Sequence, residues 1–250
     1  MPQVLALIPA RGGSKGIPRK NLMTLDGKPV IAYSILQAQA SRRIDRVIVS
    51  TDDAETVRVA KEWSAEVPFL RPAEFAQDTS SDIDVFRHAL NWLKEQEGYE
   101  PDMVVHLRPT GPVRRVELID QAVELLGAHP DADAVRSVSM AHQTPYKMWR
   151  ITSGGHLEPL LRIDGMADCQ SLPRQQLPAV YWQNGYVDVI RPRAVLEMNS
   201  MWGECALPFI VEETLFELDY PEDIPAIEEA LKRLDEGSLA EPPKGARHPV

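Results

Sequence analysis

Short apolar runs at residues 4–8, 46–50, 103–107 and 134–138 alternate with longer stretches at 30–40, 54–64, 83–97 and 116–126, whose apolar positions recur at helical spacing. Uninterrupted apolar runs suit strands buried on both faces, and a helix between successive strands makes each connection a crossover. The chain is expected to be an α/β protein, with a Rossmann-like, mostly parallel sheet sandwiched by helices. Asp53 and Asp82 stand where helix N-caps are expected.

After about Ser139 the pattern changes. Segments 142–147 and 153–155 read as turns, with strand-like pieces at 148–151 and 157–161. This predicts a small protruding excursion over approximately residues 140–178, of the kind that makes a subunit contact. The chain returns through a strand at 180–190, another at 207–211 and a helix at 222–234. Residues 1–236 are expected to form a single domain, and 237–250, rich in Pro, Gly and charge, a flexible tail.

The formal net charge of −10 argues against nucleic acid or an anionic membrane as a partner. Cys169 and Cys205 are too few for a disulfide framework and imply a reducing compartment. The N-terminus has no basic leader, and no stretch approaches the roughly 20 apolar residues of a membrane span. A cytoplasmic location is expected.

The first strand runs into Ile8-Pro-Ala-Arg-Gly-Gly-Ser-Lys-Gly-Ile-Pro-Arg-Lys-Asn21, a glycine-rich loop with four cations, Arg11, Lys15, Arg19 and Lys20, in an acidic chain. Gly12, Gly13 and Gly16 let backbone N–H groups converge on an anion, so the loop reads as a polyphosphate cradle. A Walker A loop is excluded because Ile17 and Pro18 follow Gly16, and Pro18 also prevents the helix that a dinucleotide fingerprint would open. Ligands of such sheets bind beyond the carboxyl ends of the strands, where this loop lies.

Other segments admit two readings each. A carboxylate of Ser50-Thr-Asp-Asp53 either caps the next helix or faces the nucleotide. Arg71 and the hydroxyls of Asp78-Thr-Ser-Ser-Asp82 either border a ligand or form a helix entry. Arg108 and Thr110, in a loop turned by two prolines, offer an acceptor carboxylate a cation and a hydroxyl, or form a rigid surface turn. Glu217 and Asp219 fall on one face of an extended segment, as a pair able to hold Mg²⁺ against phosphate oxygens or as two solvated acids.

The loop at 8–21 resembles the signature of the acylneuraminate cytidylyltransferases, the CMP-sialic acid synthetases. The resemblance continues through segments 49–52, 67–72, 107–112 and 174–178, Asn184-Gly185 and 217–219. It implies a fold of the nucleotide-diphospho-sugar transferase type. The implied reaction is attack by a nonulosonic acid's anomeric hydroxyl on the α-phosphorus of CTP, releasing pyrophosphate, with Mg²⁺ as cofactor. Lys20, Arg11 and Asp219 are the implied catalytic residues. CTP would be bound by Ala10, Arg11, Gly12, Gly13, Ser14, Lys15, Lys20 and Asn21, with Arg71 and Ser81 at its border, and the metal by Asp219 and Glu217. Arg108, Thr110 and Tyr186 would face the sugar acid, while Lys147 and Arg174 lie in the excursion that reaches a neighbouring subunit's site in a homodimer.

Three departures from the family pattern gather on the acceptor side: Glu217 for the usual first Asp, Gly111 for Ser, and the bulky Tyr186 after Asn184-Gly185. Two alternatives remain at this stage, a 3-deoxy-octulosonate cytidylyltransferase and a non-catalytic nucleotide-binding module of the same fold. Retention of Lys20 and Asp219 weighs against the latter.

Overall fold

The computed structural model describes residues 2–14, 16–166 and 168–235. Lys15 and the tail expected at 237–250 lie outside the described residues. In chain order the elements are β1 (Val4–Pro9), a hairpin of β2 (Thr24–Leu25) and β3 (Lys28–Pro29), α1 (Val30–Ala40), β4 (Arg46–Ser50), α2 (Ala54–Glu62) and α3 (Asp82–Glu97). They continue with β5 (Met103–His106), α4 (Val116–Gly127), β6 (Ala134–Met140), β7 (Trp149–Ile151), β8 (Leu157–Pro159), β9 (Tyr181–Ile190), α5 (Pro192–Leu196), β10 (Ala206–Ile210) and α6 (Ile224–Asp235).

Six strands form the central sheet in the order β10-β6-β9-β5-β1-β4, with β9 antiparallel to both its neighbours and the other pairings parallel. β1 shows why its apolar run had to be continuous. Val4, Ala6 and Ile8 enter the core shared with α1, α2 and α4, whereas Leu5 and Leu7 enter the one shared with α3 and α5. Burying each such side chain contributes about 1.5–3 kcal/mol. The result is the expected helix-sheet-helix sandwich.

The carboxyl ends of β1, β4, β5, β6 and β10 share one edge with the start of β9. β4 and β5 flank β1: the connection from β1 runs out to β4 and the next one crosses back to β5, which opens a crevice between β1 and β5 at that edge. A third apolar cluster closes the crevice from outside. It gathers Ile17 of the loop, Leu25 of the hairpin, Val30 and Tyr33 of α1, Val113, Leu218 and three residues of α6.

Two local expectations divide. Asp53 caps α2, its carboxylate accepting from Thr56 N at 2.8 Å. Asp82 does not cap α3: Ser81 holds the N-cap position without a side-chain cap bond, its hydroxyl donating instead to Asp84 at 2.6 Å. Asp82 belongs to the first turn, and its carboxylate turns to Arg108. The expected excursion is a separate two-stranded sheet, β7 with β8, between β6 and β9.

Candidate active site

The glycine loop is held at both ends by the two chain segments it serves. At its start, Ala10 N donates to the Ser50 carbonyl at 2.9 Å, and the buried Arg71 reaches the same oxygen at 3.2 Å. Gly12 N donates to the Asp52 carboxylate at 3.0 Å, and a Cβ at Gly12 would lie 2.6 Å from that of Asp53. Of the two readings of this segment the cap is realised, by Asp53, while Asp52 does something neither reading anticipated and holds the loop.

At the far end, a Cβ at Gly16 would lie 2.8 Å from the Asp219 carbonyl oxygen, so only glycine lets the two backbones touch. Ile17 and Leu218 are buried in the same cluster. Lys20 Nζ donates to the Leu218 carbonyl at 2.7 Å and pairs with Asp219 Oδ1 at 3.2 Å. Between these anchors the loop opens to solvent. Gly13 is exposed with nothing within 4 Å of where its Cβ would be, and Ser14 is half-buried. Asn21 ties the loop to itself, donating to the Arg11 carbonyl at 3.0 Å, while Arg11 donates to Gln77 O at 2.8 Å and pairs with Asp78 at 2.8 Å.

The loop after β5 forms the opposite wall. Leu218 N donates to the Thr110 carbonyl at 2.7 Å, joining this loop to the 217–219 segment. Its organising residue is Arg114, which the sequence did not single out. Its side chain is fully buried, donating to Tyr186 O and Arg108 O at 2.5 Å each, to Ser34 Oγ at 3.2 Å and to Gln37 Oε1 at 3.4 Å. Burial pushes its pKa down to about 10, which leaves it charged at neutral pH. Gly111 leaves room beside it: a Cβ there would lie 3.0 Å from Arg114 Nη2. Arg114 and Arg115 are indistinguishable by position in a single sequence, and only packing separates the buried one from the half-buried one.

Tyr186 is buried, with its hydroxyl accepting from Arg115 N at 2.6 Å and lying 3.3 Å from Glu213. Burial raises its pKa. Arg108 sits between two acids, Asp188 at 3.0 Å and Asp82 at 3.5 Å. Glu217 lines the cleft behind this wall; its pKa is raised by burial and by the charge of Asp219. Among the described residues no hydrogen bond or ion pair holds its carboxylate. Hard oxygen donors fit a divalent cation, whose charge would offset the burial and the neighbouring Asp219 charge that raise the Glu217 pKa. No group of three or more His, Cys, Asp or Glu able to hold a metal occurs among the described residues, so phosphate oxygens and water would complete the shell.

A cleft of about 1090 Å³ opens beside this wall, lined by Thr110, Arg114, Tyr186 and Glu217 together with Trp182 and Phe216. The structure thus brings Arg11, Lys20, Asn21, Arg71, Arg108, Thr110, Glu217 and Asp219 to one edge. Ser81, the N-cap of α3, lies at its exposed rim. Lys147 and Arg174 do not join them within one chain. Both are exposed on the excursion, and Arg174 donates to Ala141 O at 2.7 Å.

Comparison with known proteins agrees with this geometry. The pattern that defines the cytidylyltransferases matches residues 5–153. A CMP-N,N'-diacetyllegionaminic acid synthase of Legionella pneumophila is 33% identical over 239 residues, covering 95% of this chain and 99% of that protein. A pseudaminic acid cytidylyltransferase of Campylobacter jejuni is 41% identical over 120 residues, 48% of this chain and 51% of that one. Among solved structures, a CMP:2-keto-3-deoxy-manno-octonic acid synthetase complexed with CTP superposes with a TM-score of 0.68 at 16% identity, covering 93% of this chain and 99% of that one; at this identity the likeness speaks for the fold. The chain belongs to the sialic-type cytidylyltransferase family and is a nucleotidyltransferase.

Proposed function

We propose that this enzyme joins CTP to a nine-carbon 2-keto-3-deoxy sugar acid of the nonulosonic type, giving the CMP-sugar and pyrophosphate. The observation that carries the reading is the closure of the glycine loop on the 217–219 segment, Gly16 against the Asp219 carbonyl and Lys20 reaching over it. A loop with open N–H groups and flanking cations supplies the charge compensation and alignment that transfer of a phosphoryl-centred group demands.

In this reading Lys20 and Arg11 bind and orient the triphosphate, Asn21 fixes the loop, and Arg71 and Ser81 border the cytidine side. Asp219, with Glu217, would hold Mg²⁺, which supplies charge neutralisation at the phosphate oxygens. Arg108 and Thr110 face the sugar acid, and the buried charge of Arg114 favours an anion at the wall it organises. A cytoplasmic location is part of the same reading.

A homodimer is part of the proposal. The excursion exposes Trp149, Ile151 and Leu157 beside Lys147, Arg150 and Arg174. The cleft carries the acids Glu212, Glu213, Glu217, Glu222 and Asp223, an environment that cations from a second copy would complete. Incubation with CTP, Mg²⁺ and a panel of neuraminic, legionaminic, pseudaminic and octulosonic acids tests the reading through pyrophosphate release. Turnover with a nine-carbon acid is expected. Turnover confined to the octulosonate would favour the eight-carbon alternative, and silence with every acid would remove the proposal.

A further inference from the structure

Arg108 is held from two unequal sides. On the inner side Asp188, fully buried on β9, accepts from both Nη1 and Nη2 of Arg108 through one oxygen, Oδ2, at 3.0 Å each. Gln183 Nε2 approaches the same oxygen at 3.4 Å, and its carbonyl is taken by Arg136 Nη1 at 2.6 Å. His106, Asp188 and Arg136 stand in register across β5, β9 and β6, so the inner anchor is built into the sheet. On the outer side Asp82, on the first turn of α3, lies 3.5 Å from Arg108 Nη2 with its side chain 48% exposed.

His106 lies 4.0 Å from Asp82 and does not compete as a cation. Burial, with the guanidiniums of Arg108, Arg114 and Arg136 around it, keeps its imidazole neutral. Arg108 thus has a carboxylate on each side, with Arg71 acting on Asp82 and Arg114 on Asp188 from farther off, and an arriving anion meets a guanidinium whose two sides are both taken. Asp188 is held in place by its full burial on a strand paired on both sides. Asp82 can turn to solvent at small cost, since a half-exposed pair contributes little.

We propose that Asp188 is the positioning residue that aims Arg108 at the acceptor, and that Asp82 is a placeholder which the sugar acid's carboxylate displaces from the outer edge of the guanidinium. This rests on the reading of Arg108 as facing the sugar acid. The two acids then act in opposite directions on acceptor binding. Asp188 is needed to present the planar fork in one orientation, and Asp82 competes with the substrate for it.

Steady-state kinetics of Asp188→Asn and Asp82→Asn, with CTP and sugar acid varied separately and melting temperatures recorded, test this. Asp188→Asn is expected to raise KM for the sugar acid by about 10- to 100-fold, the effect of losing hydrogen bonds to a charged group. Asp82→Asn is expected to lower it by about two- to fivefold. KM for CTP should change little in either. A purely structural role would not make the Asp82 variant bind acceptor more tightly, and this exposed site keeps the test valid should the buried variant fail to fold. Unchanged or raised acceptor KM in Asp82→Asn, or a matching shift in KM for CTP, would overturn the proposal while wild-type turnover left the function intact. Silence of the wild type with every acid would overturn both.

Discussion

Asp219→Asn is expected to lower turnover by about 10²–10³-fold, the range measured when one preorganised electrostatic group is lost, while CTP affinity stays within a few-fold. The amide keeps the shape of the side chain and removes its charge. Asp219 is 53% exposed and, among the described residues, its carboxylate pairs with Lys20 at 3.2 Å, so the fold loses little. The triphosphate retains Lys20, anchored independently on the Leu218 carbonyl, and the open N–H groups of the loop. What disappears is the acid proposed to place the cation, a role that counts during transfer more than in ground-state binding. Pyrophosphate release and calorimetric titration of CTP separate the two quantities, and equal losses in both would remove the assignment.

Gly16→Ala tests the other half of the contact. The added Cβ would sit 2.8 Å from the Asp219 carbonyl oxygen, and neither partner is a flexible side chain. The loop and the 217–219 segment must separate, and a displacement on the order of 1 Å at reacting groups costs about 10²-fold in rate. Thermal stability should also fall, because Ile17 and Leu218 share one apolar cluster on either side of the contact. Gly13→Ala is the control: nothing lies within 4 Å of its Cβ position, so its melting temperature should match the wild type. Equal melting temperatures and rates for Gly16→Ala and the wild type would show that the close approach is dispensable.

The sandwich was readable because its strands are buried on both faces and its helices carry regular apolar stripes, signals that a sequence states locally. The strand at 180–190 was equally visible, but its antiparallel insertion between β5 and β6 depends on how the excursion returns, which no local pattern encodes. Asp53 announced its cap, whereas Asp82 was drawn from the expected cap by a guanidinium 26 positions away in sequence, at Arg108. The loop at 8–21 and the acids at 217 and 219 were identified separately, and their meeting followed from packing of Ile17 against the cluster that holds Leu218. Arg114 is not legible in the sequence because its importance comes from burial against backbone carbonyls, and an arginine between two prolines and a second arginine reads as surface. The split of Arg108 between Asp188 and Asp82 is likewise a property of three elements meeting.

CTP labelled at its α-phosphorus, followed through turnover with the best acceptor of the panel, tests most directly whether the loop and the 217–219 segment together form a cytidylyl-transfer site. The label is predicted to appear in the CMP-sugar, with unlabelled pyrophosphate released in equal amount. Recovery of the label as free CMP, or as unchanged CTP with every sugar acid, would contradict it.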